Sequence, residues 1–275
     1  LDRHGSFGAY AAAKARIKAR QEAPDVAVLN FDDAVVRGFG SDTRASVLPF
    51  QAAGPLASGA WIDTGAFVLN APELLGRTEP LRLSLDGSKL RGAHNLENIT
   101  AALCAVAAFG VDPKRAVTAL AHFEGLPHRN EVVGRVRGVT FVDDSKATNP
   151  GASIRSVSGA GGPVVWIAGG RGKGLDFGAL ANAACRHARA AVLIGESAGA
   201  LEEAIAGRMK VQHAASLEEA VDCAARCARP GDTVLLSPAC ASQDQFRDFA
   251  ERGDRFRAAV ERLSADSGDA ARGAD

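Results

Sequence analysis

The sequence lacks any run approaching the roughly 20 apolar residues needed to span a bilayer, so no membrane partner is expected. It lacks a charge imbalance: Lys plus Arg total 32 and Asp plus Glu total 32. No electrostatic footprint therefore points to nucleic acid or an anionic surface. It lacks a Cys-x-x-Cys pair. The five cysteines are an odd number, and Cys223 and Cys227, four apart in a helix-like run, read as core thiols rather than metal ligands. Reduced cysteines suit a cytoplasmic compartment. No secretory leader opens the chain, and Leu1 at its start suggests a piece of a longer gene product. What is present is a globular composition, 47% hydrophobic and 23% charged, in 275 residues, enough for two domains of ordinary size.

The pattern divides at the break Gly125-Leu126-Pro127, giving expected domains over 1–124 and 125–275. In the first, Ser6 caps a predicted helix over 6–22, and the apolar run 26–29 reads as a buried strand. Short glycine-punctuated strands at 45–48, 60–63, 67–69 and 81–85 suggest a small antiparallel flap. A helix over 95–109 follows, then one that starts at Asp112 with Pro113 in its first turn. Beyond the break, a hairpin at 132–136 and 139–142 leads into regular alternation. Strands at 164–168, 191–194, 209–212 and 233–236 are separated by helices at 151–157, 177–187, 198–205 and 217–228. A last helix is expected at 254–263, with a disordered tail over 264–275. Such alternation implies a doubly wound, mostly parallel sheet with helices on both faces.

The densest polar stretch is Asp143-Asp144-Ser145-Lys146-Ala147-Thr148-Asn149-Pro150. It follows a predicted strand, at the end of an α/β sheet where ligands sit. Two other loops leave strands at the same edge: Gly169-Gly170-Arg171-Gly172-Lys173-Gly174 and Ser237-Pro238-Ala239-Cys240-Ala241-Ser242. Any one of them reads as readily as an ordinary polar loop; all three together point to a small anionic ligand held by ammonium and hydroxyl groups. The glycine loop is neither G-x-x-x-x-G-K-[ST] nor G-x-G-x-x-G. Its glycines instead free Lys173 to reach a carboxylate. Asn95, Asn98 and Arg129 flank the domain break, where nucleotides commonly bind. On composition alone Lys14 is a solvated helix lysine, His4 a structural residue, and Asp32 and Asp33 turn residues.

The blocks Gly125-Leu126-Pro127-His128-Arg129, Asp144-Ser145-Lys146-Ala147-Thr148-Asn149 and Leu235-Leu236-Ser237-Pro238-Ala239-Cys240-Ala241-Ser242, with Asp244-Gln245-Phe246 and Glu251-Arg252-Gly253, resemble the Mur ligase family. The likeness runs from Leu1 to about Leu263. It implies the later part of a central ATPase domain followed by a whole Rossmann-like third domain. The implied activity is ATP- and Mg2+-dependent addition of D-glutamate to UDP-N-acetylmuramoyl-L-alanine in peptidoglycan synthesis, by a monomer. Carried over by position, Asn95, Asn98, Arg129 and Asp144 would contact ATP. Lys146, Thr148, Lys173, Ser242 and Phe249 would hold D-glutamate. Lys14 matches the lysine that the family carbamylates to help place magnesium, which reverses its compositional reading. With Arg129 and Lys146, it completes the expected catalytic set. The family's Walker A loop, its histidine ligand and its UDP-binding domain are not among these residues. Two alternatives stay open: another ligase of the superfamily, such as a folylpolyglutamate synthase, and a non-catalytic module that binds D-glutamate or adenine nucleotide.

Overall fold

In the computed structural model of the chain, residues 5–52, 54–90, 92–172 and 174–267 are described, without the side chains of Ala93 and His94. The polypeptide forms two compact units, Leu1–Glu124 and Gly125–Asp275.

The first unit opens with α1 (Phe7–Ala15), capped by Ser6, whose hydroxyl accepts from the Ala9 N–H. α1 gives way to a 3-10 turn at Arg16–Lys18 rather than running to residue 22. Short helices depend on packing an apolar face, and α1 buries no residue. Next come β1 (Val26–Asn30), α2 (Ala34–Gly38), β2 (Ser46–Gln51), β3 (Gly59–Asp63) and β4 (Ala66–Asn70). They are followed by α3 (Pro72–Leu75), β5 (Leu81–Ser84), α4 (Ala93–Ala108) and α5 (Pro113–Leu120). The five strands lie in sequence order in one mixed sheet. The expected antiparallel flap is therefore only partly right. β3, β4 and β5 form an antiparallel meander, but β1, β2 and β3 pair in parallel. The helical connection through α2 is what allows β2 to return beside β1 in the same direction, since a tight turn would reverse it. Ile99, Leu103 and Cys104 of α4 bury against Phe50, Phe67 and Leu69 of the sheet.

The second unit contains β6 (Glu131–Val136), β7 (Val139–Asp143), α6 (Pro150–Gly159), β8 (Val164–Gly169), α7 (Gly178–His187) and β9 (Ala188–Ile194). It continues with α8 (Ala198–Ile205), β10 (Lys210–His213), α9 (Leu217–Cys227), β11 (Thr233–Ala239) and α10 (Phe249–Asp266). Strand order is β10-β9-β8-β11-β7-β6, parallel throughout except for the β6–β7 hairpin. Alternation along β8 shows why two helical layers form. Val165 and Ile167 face a core shared with α9 and α10. Val164, Trp166 and Ala168 face one shared with α6, α7 and α8. α10 begins five residues earlier than expected, because the Asp248 carboxylate accepts from the Glu251 N–H and caps it there. It also runs on to Asp266, so 264–266, expected as tail, are helical. Among the described residues no helix is long and apolar enough to cross a membrane.

Candidate functional site

The chain crosses the sheet from β7 to β8, β9 and β10 and then returns to place β11 between β8 and β7, so the loops leaving these three strands become neighbours. Backbone bonds stitch them together. The Asp144 N–H donates to Leu236 O at 2.8 Å and the Ala239 N–H to Ala147 O at 2.9 Å. Arg171 and Ala241 exchange N–H···O bonds of 2.8 and 3.1 Å. Gly170 sits at φ 127°, and a Cβ there would stand 2.3 Å from Ala241 O. Glycine is what lets the second loop lie against the third.

The first loop places its residues unequally. Asn149 caps α6, its side chain accepting from the Ala152 N–H. Asp144 is buried, not offered to solvent. Its carboxylate accepts from Ser156 Oγ (2.5 Å) and Ser237 Oγ (3.1 Å) and from the Asn130 N–H. Burial nevertheless dominates, pushing this carboxyl up to about 6 from an ordinary 3.8. Asp143, fully buried, is also raised by burial, against hydrogen bonds from His128 and the Ser145 N–H that pull the other way.

Lys146 turns outward from this frame. Its ammonium lies 3.5 Å from the centroid of the Phe249 ring, at the start of α10, a cation–π contact. Thr148 is half-buried beside it, with its N–H on Lys146 O at 2.8 Å. Ser242 is only 1% exposed, and its carbonyl accepts from the Gln245 and Phe246 N–H groups. Lys146, Thr148, Ser242 and Phe249 thus belong to one edge of the second unit. Lys173, between Gly172 and Gly174, lies outside the described residues. Two concave spaces of this unit are at the other ends of the strands. One, of about 490 Å³, is lined by Pro163, Arg186, His187 and Arg189. The other, of about 500 Å³, lies beside Val136, Val139 and Pro230.

The remaining candidates belong to other elements. Arg129 is exposed in the turn before β6. Asn95 and Asn98 are on α4 of the first unit, half-buried and exposed respectively. Lys14 is exposed on α1, 5.4 Å from the Tyr10 ring centroid, with no ion-pair partner among the described residues. Asp33 caps α2, and Asp32 accepts from the Ala52 N–H, as turn residues do; His4 lies outside the described residues.

One residue central to this edge is not apparent from composition or spacing. Arg252 of α10 is fully buried. Its Nε donates to Ser145 Oγ at 2.9 Å, while the two terminal nitrogens donate to Ser145 O (2.8 Å) and Cys240 O (3.2 Å). It thereby ties the first loop to the third. The only signal in the sequence was its place in Glu251-Arg252-Gly253, and that motif does not say which way the side chain points.

Comparison with known proteins gives a consistent answer. Residues 1–106 match the family described as Mur ligase middle domain, and residues 128–240 match Mur ligase, glutamate ligase domain. The UDP-N-acetylmuramoylalanine--D-glutamate ligase of Pelotomaculum thermopropionicum is 44% identical over 262 residues, covering 94% of this chain and 57% of that protein. The protein of the same name from Aromatoleum aromaticum is 44% identical over 266 residues, covering 96% and 56%. This chain thus spans a little over half the length of these relatives. Among solved structures, the UDP-N-acetylmuramate-alanine ligase of Thermotoga maritima superposes with a TM-score of 0.65 at 17% identity, over 96% of this chain and 57% of that one. The folylpolyglutamate synthase of Mycobacterium tuberculosis, complexed with ADP, gives 0.63 at 19% identity, over 94% and 60%. At such identities the structural likeness speaks to the fold alone.

Proposed function

The chain belongs to the Mur ligase family, and from that premise we propose that it carries the glutamate-handling part of an ATP-dependent amide ligase that adds D-glutamate to UDP-N-acetylmuramoyl-L-alanine in peptidoglycan synthesis. The observation that carries this reading is the Lys146 ammonium, held 3.5 Å over the Phe249 ring where three loops converge. A dicarboxylic amino acid needs fixed cations and hydroxyls, and Lys146, Thr148, Ser242 and, from the glycine loop, Lys173 are of that kind. A charge-assisted hydrogen bond from each lysine contributes roughly 1.5–3 kcal/mol. The relatives' shared name supports D-glutamate over other amino acids.

The chemistry assigned to these residues is positioning. The acceptor carboxylate, once phosphorylated by ATP, is attacked by the glutamate amine, and phosphate leaves. The chain's part is to bind the two glutamate carboxylates, orient the amine and make the encounter local. Asn95, Asn98, Arg129 and Asp144 are the proposed ATP contacts. The fit to magnesium rests on Lys14, whose exposed amine has no competing carboxylate among the described residues. As a carbamate it would offer the oxygen ligand that magnesium takes, and the bound ion would neutralise charge on the transferred phosphoryl group. The phosphate-cradling motif G-x-x-x-x-G-K-[ST] is not among the 275 residues; as a second reading, these residues taken by themselves are a module that binds D-glutamate or adenine nucleotide without turnover. We further assign it to the cytoplasm as a monomer.

Isothermal titration of the chain with D-glutamate tests the reading, with L-glutamate as the control. Lys146→Ala and Lys173→Ala are each expected to weaken D-glutamate about tenfold, ~1.4 kcal/mol, and to leave ATP binding unchanged. Equal losses for both ligands would count against the assignment. Phosphate release with ATP, D-glutamate and acceptor decides between the two readings, since robust turnover rejects the binding-only module.

A further inference from the structure

We propose that the buried Asp143–His128 pair is the positioning device that fixes Lys146 and Phe249 for the amino-acid substrate; this rests on the reading above of that edge as the D-glutamate site. Asp143 is the hub. One carboxylate oxygen takes the His128 Nδ1 hydrogen bond at 2.7 Å, and the other takes the Ser145 N–H at 2.8 Å. Each partner leads to one half of the cation–π pair. The His128 carbonyl accepts the Lys146 N–H at 3.1 Å, setting the backbone from which the lysine departs. The His128 ring meets the Phe249 ring edge-on, with centroids 6.2 Å apart. Ser145 Oγ donates to the Phe249 carbonyl at 2.8 Å, fixing the start of α10.

The surroundings leave the pair little room to rearrange. His128 is 7% exposed and held at φ 61°, in the left-handed region that residues other than glycine seldom adopt. α10 passes so close that a Cβ at Gly253 would stand 2.1 Å from His128 Nδ1 and 2.6 Å from Asp143 Oδ2. Glycine is required there for the helix to press on the pair. Glu131 completes the frame, accepting from the His128 N–H at 3.1 Å and from Arg257 at 2.7 Å. His128, Glu131 and Asp143 have potential metal-ligand atoms within 4.8 Å of one another. Those atoms are already committed to the hydrogen bonds just described, so the cluster is a braced frame rather than an open cation site.

The frame needs hydrogen bonds of fixed geometry, and its charge is secondary. Asp143→Asn preserves shape: the amide oxygen still accepts the Ser145 N–H, and the amide nitrogen donates to His128 Nδ1 in its other tautomer. Asp143→Ala removes both bonds. The test is the NMR resonance of the Lys146 Cε–Hε group in the chain, which a ring 3.5 Å from the ammonium shifts upfield, read alongside D-glutamate titration. The upfield shift is expected in wild type and Asp143→Asn and lost in Asp143→Ala, with D-glutamate weakened about tenfold only in the last. His128→Phe keeps ring bulk against Phe249 without the Nδ1 donor. It is expected to lose the shift as well, and it supplies the answer if the alanine variant does not fold. Retention of the shift and of wild-type affinity in folded Asp143→Ala or His128→Phe overturns the proposal. If D-glutamate binds no variant, wild type included, the site reading falls, while the Lys146 resonance still decides the positioning claim.

Discussion

Arg252→Met is expected to destabilise the second unit by ~3 kcal/mol. The guanidinium makes three hydrogen bonds, to Ser145 Oγ, Ser145 O and Cys240 O. Bonds from a charged donor are worth ~1.5–3 kcal/mol each, so their gross loss is large. Against it stands the cost of burying the charge, visible in a guanidinium lowered well below its ordinary value, to about 10, mainly by burial. An offset of that size amounts to ~3 kcal/mol. Methionine removes the loss of hydration along with the bonds, and the difference leaves the net figure. Arg252→Lys is expected to rescue nothing, because an ammonium keeps the burial cost and cannot span three acceptors in two loops with one planar fork. Urea unfolding reads this cleanly through Trp166, which is fully buried in the second unit with its indole N–H on Ser237 O. The other tryptophan, Trp61, is in the first unit and is replaced by Phe in the background. A loss under ~1 kcal/mol in the methionine variant, or recovery in the lysine one, would mean that Arg252 is not the tie between the loops.

Much of this architecture was legible because it follows from local rules. The alternating strands and helices after Gly125 announce a parallel sheet, and the polar loops at strand ends mark the candidate site. Ser6 and Asp112 cap the helices they were expected to start. What was hidden depends on contacts between residues far apart in the chain. The parallel pairing of β1 with β2 depends on a connection whose α2 helix is five residues long, too short to give a periodic signal. The start of α10 at Phe249 was obscured by Gly253, which reads as a breaker; His128 and Asp143 explain it, and they lie more than 100 residues away. Asp144 reads as an exposed ligand-binding carboxylate, and only the fold turns it toward Ser156 and Ser237.

That inward turn makes Asp144→Asn the variant in which stability and binding should part. The folded-state carboxyl titrates near 6 against an ordinary 3.8, chiefly because it is buried. A raised value means that the folded chain favours the protonated form. The stabilising contribution is whole below about pH 4, is lost as pH rises through 6, and above that the charged group is carried at a cost of ~3 kcal/mol. Asparagine removes the charge and keeps an oxygen for the two serine hydroxyls, although its NH2 group displaces one acceptor; a gain of ~2 kcal/mol at pH 8 is expected, vanishing at pH 4. Comparing variant with wild type at each pH cancels the carboxylates whose values are lowered, among them Asp248 and Glu218, which act in the opposite direction. If Asp144 also serves the nucleotide, the stabilised variant should lose the rise in unfolding midpoint that ATP gives the wild-type chain at pH 8. A gain that is the same at both pH values would show that burial of charge is not its source. An undiminished response to ATP would remove Asp144 from the nucleotide contacts. Both results together would leave this carboxylate a structural group, and the density of polar side chains after β7 would then owe less to ligand binding than to holding β7, α6 and β11 together.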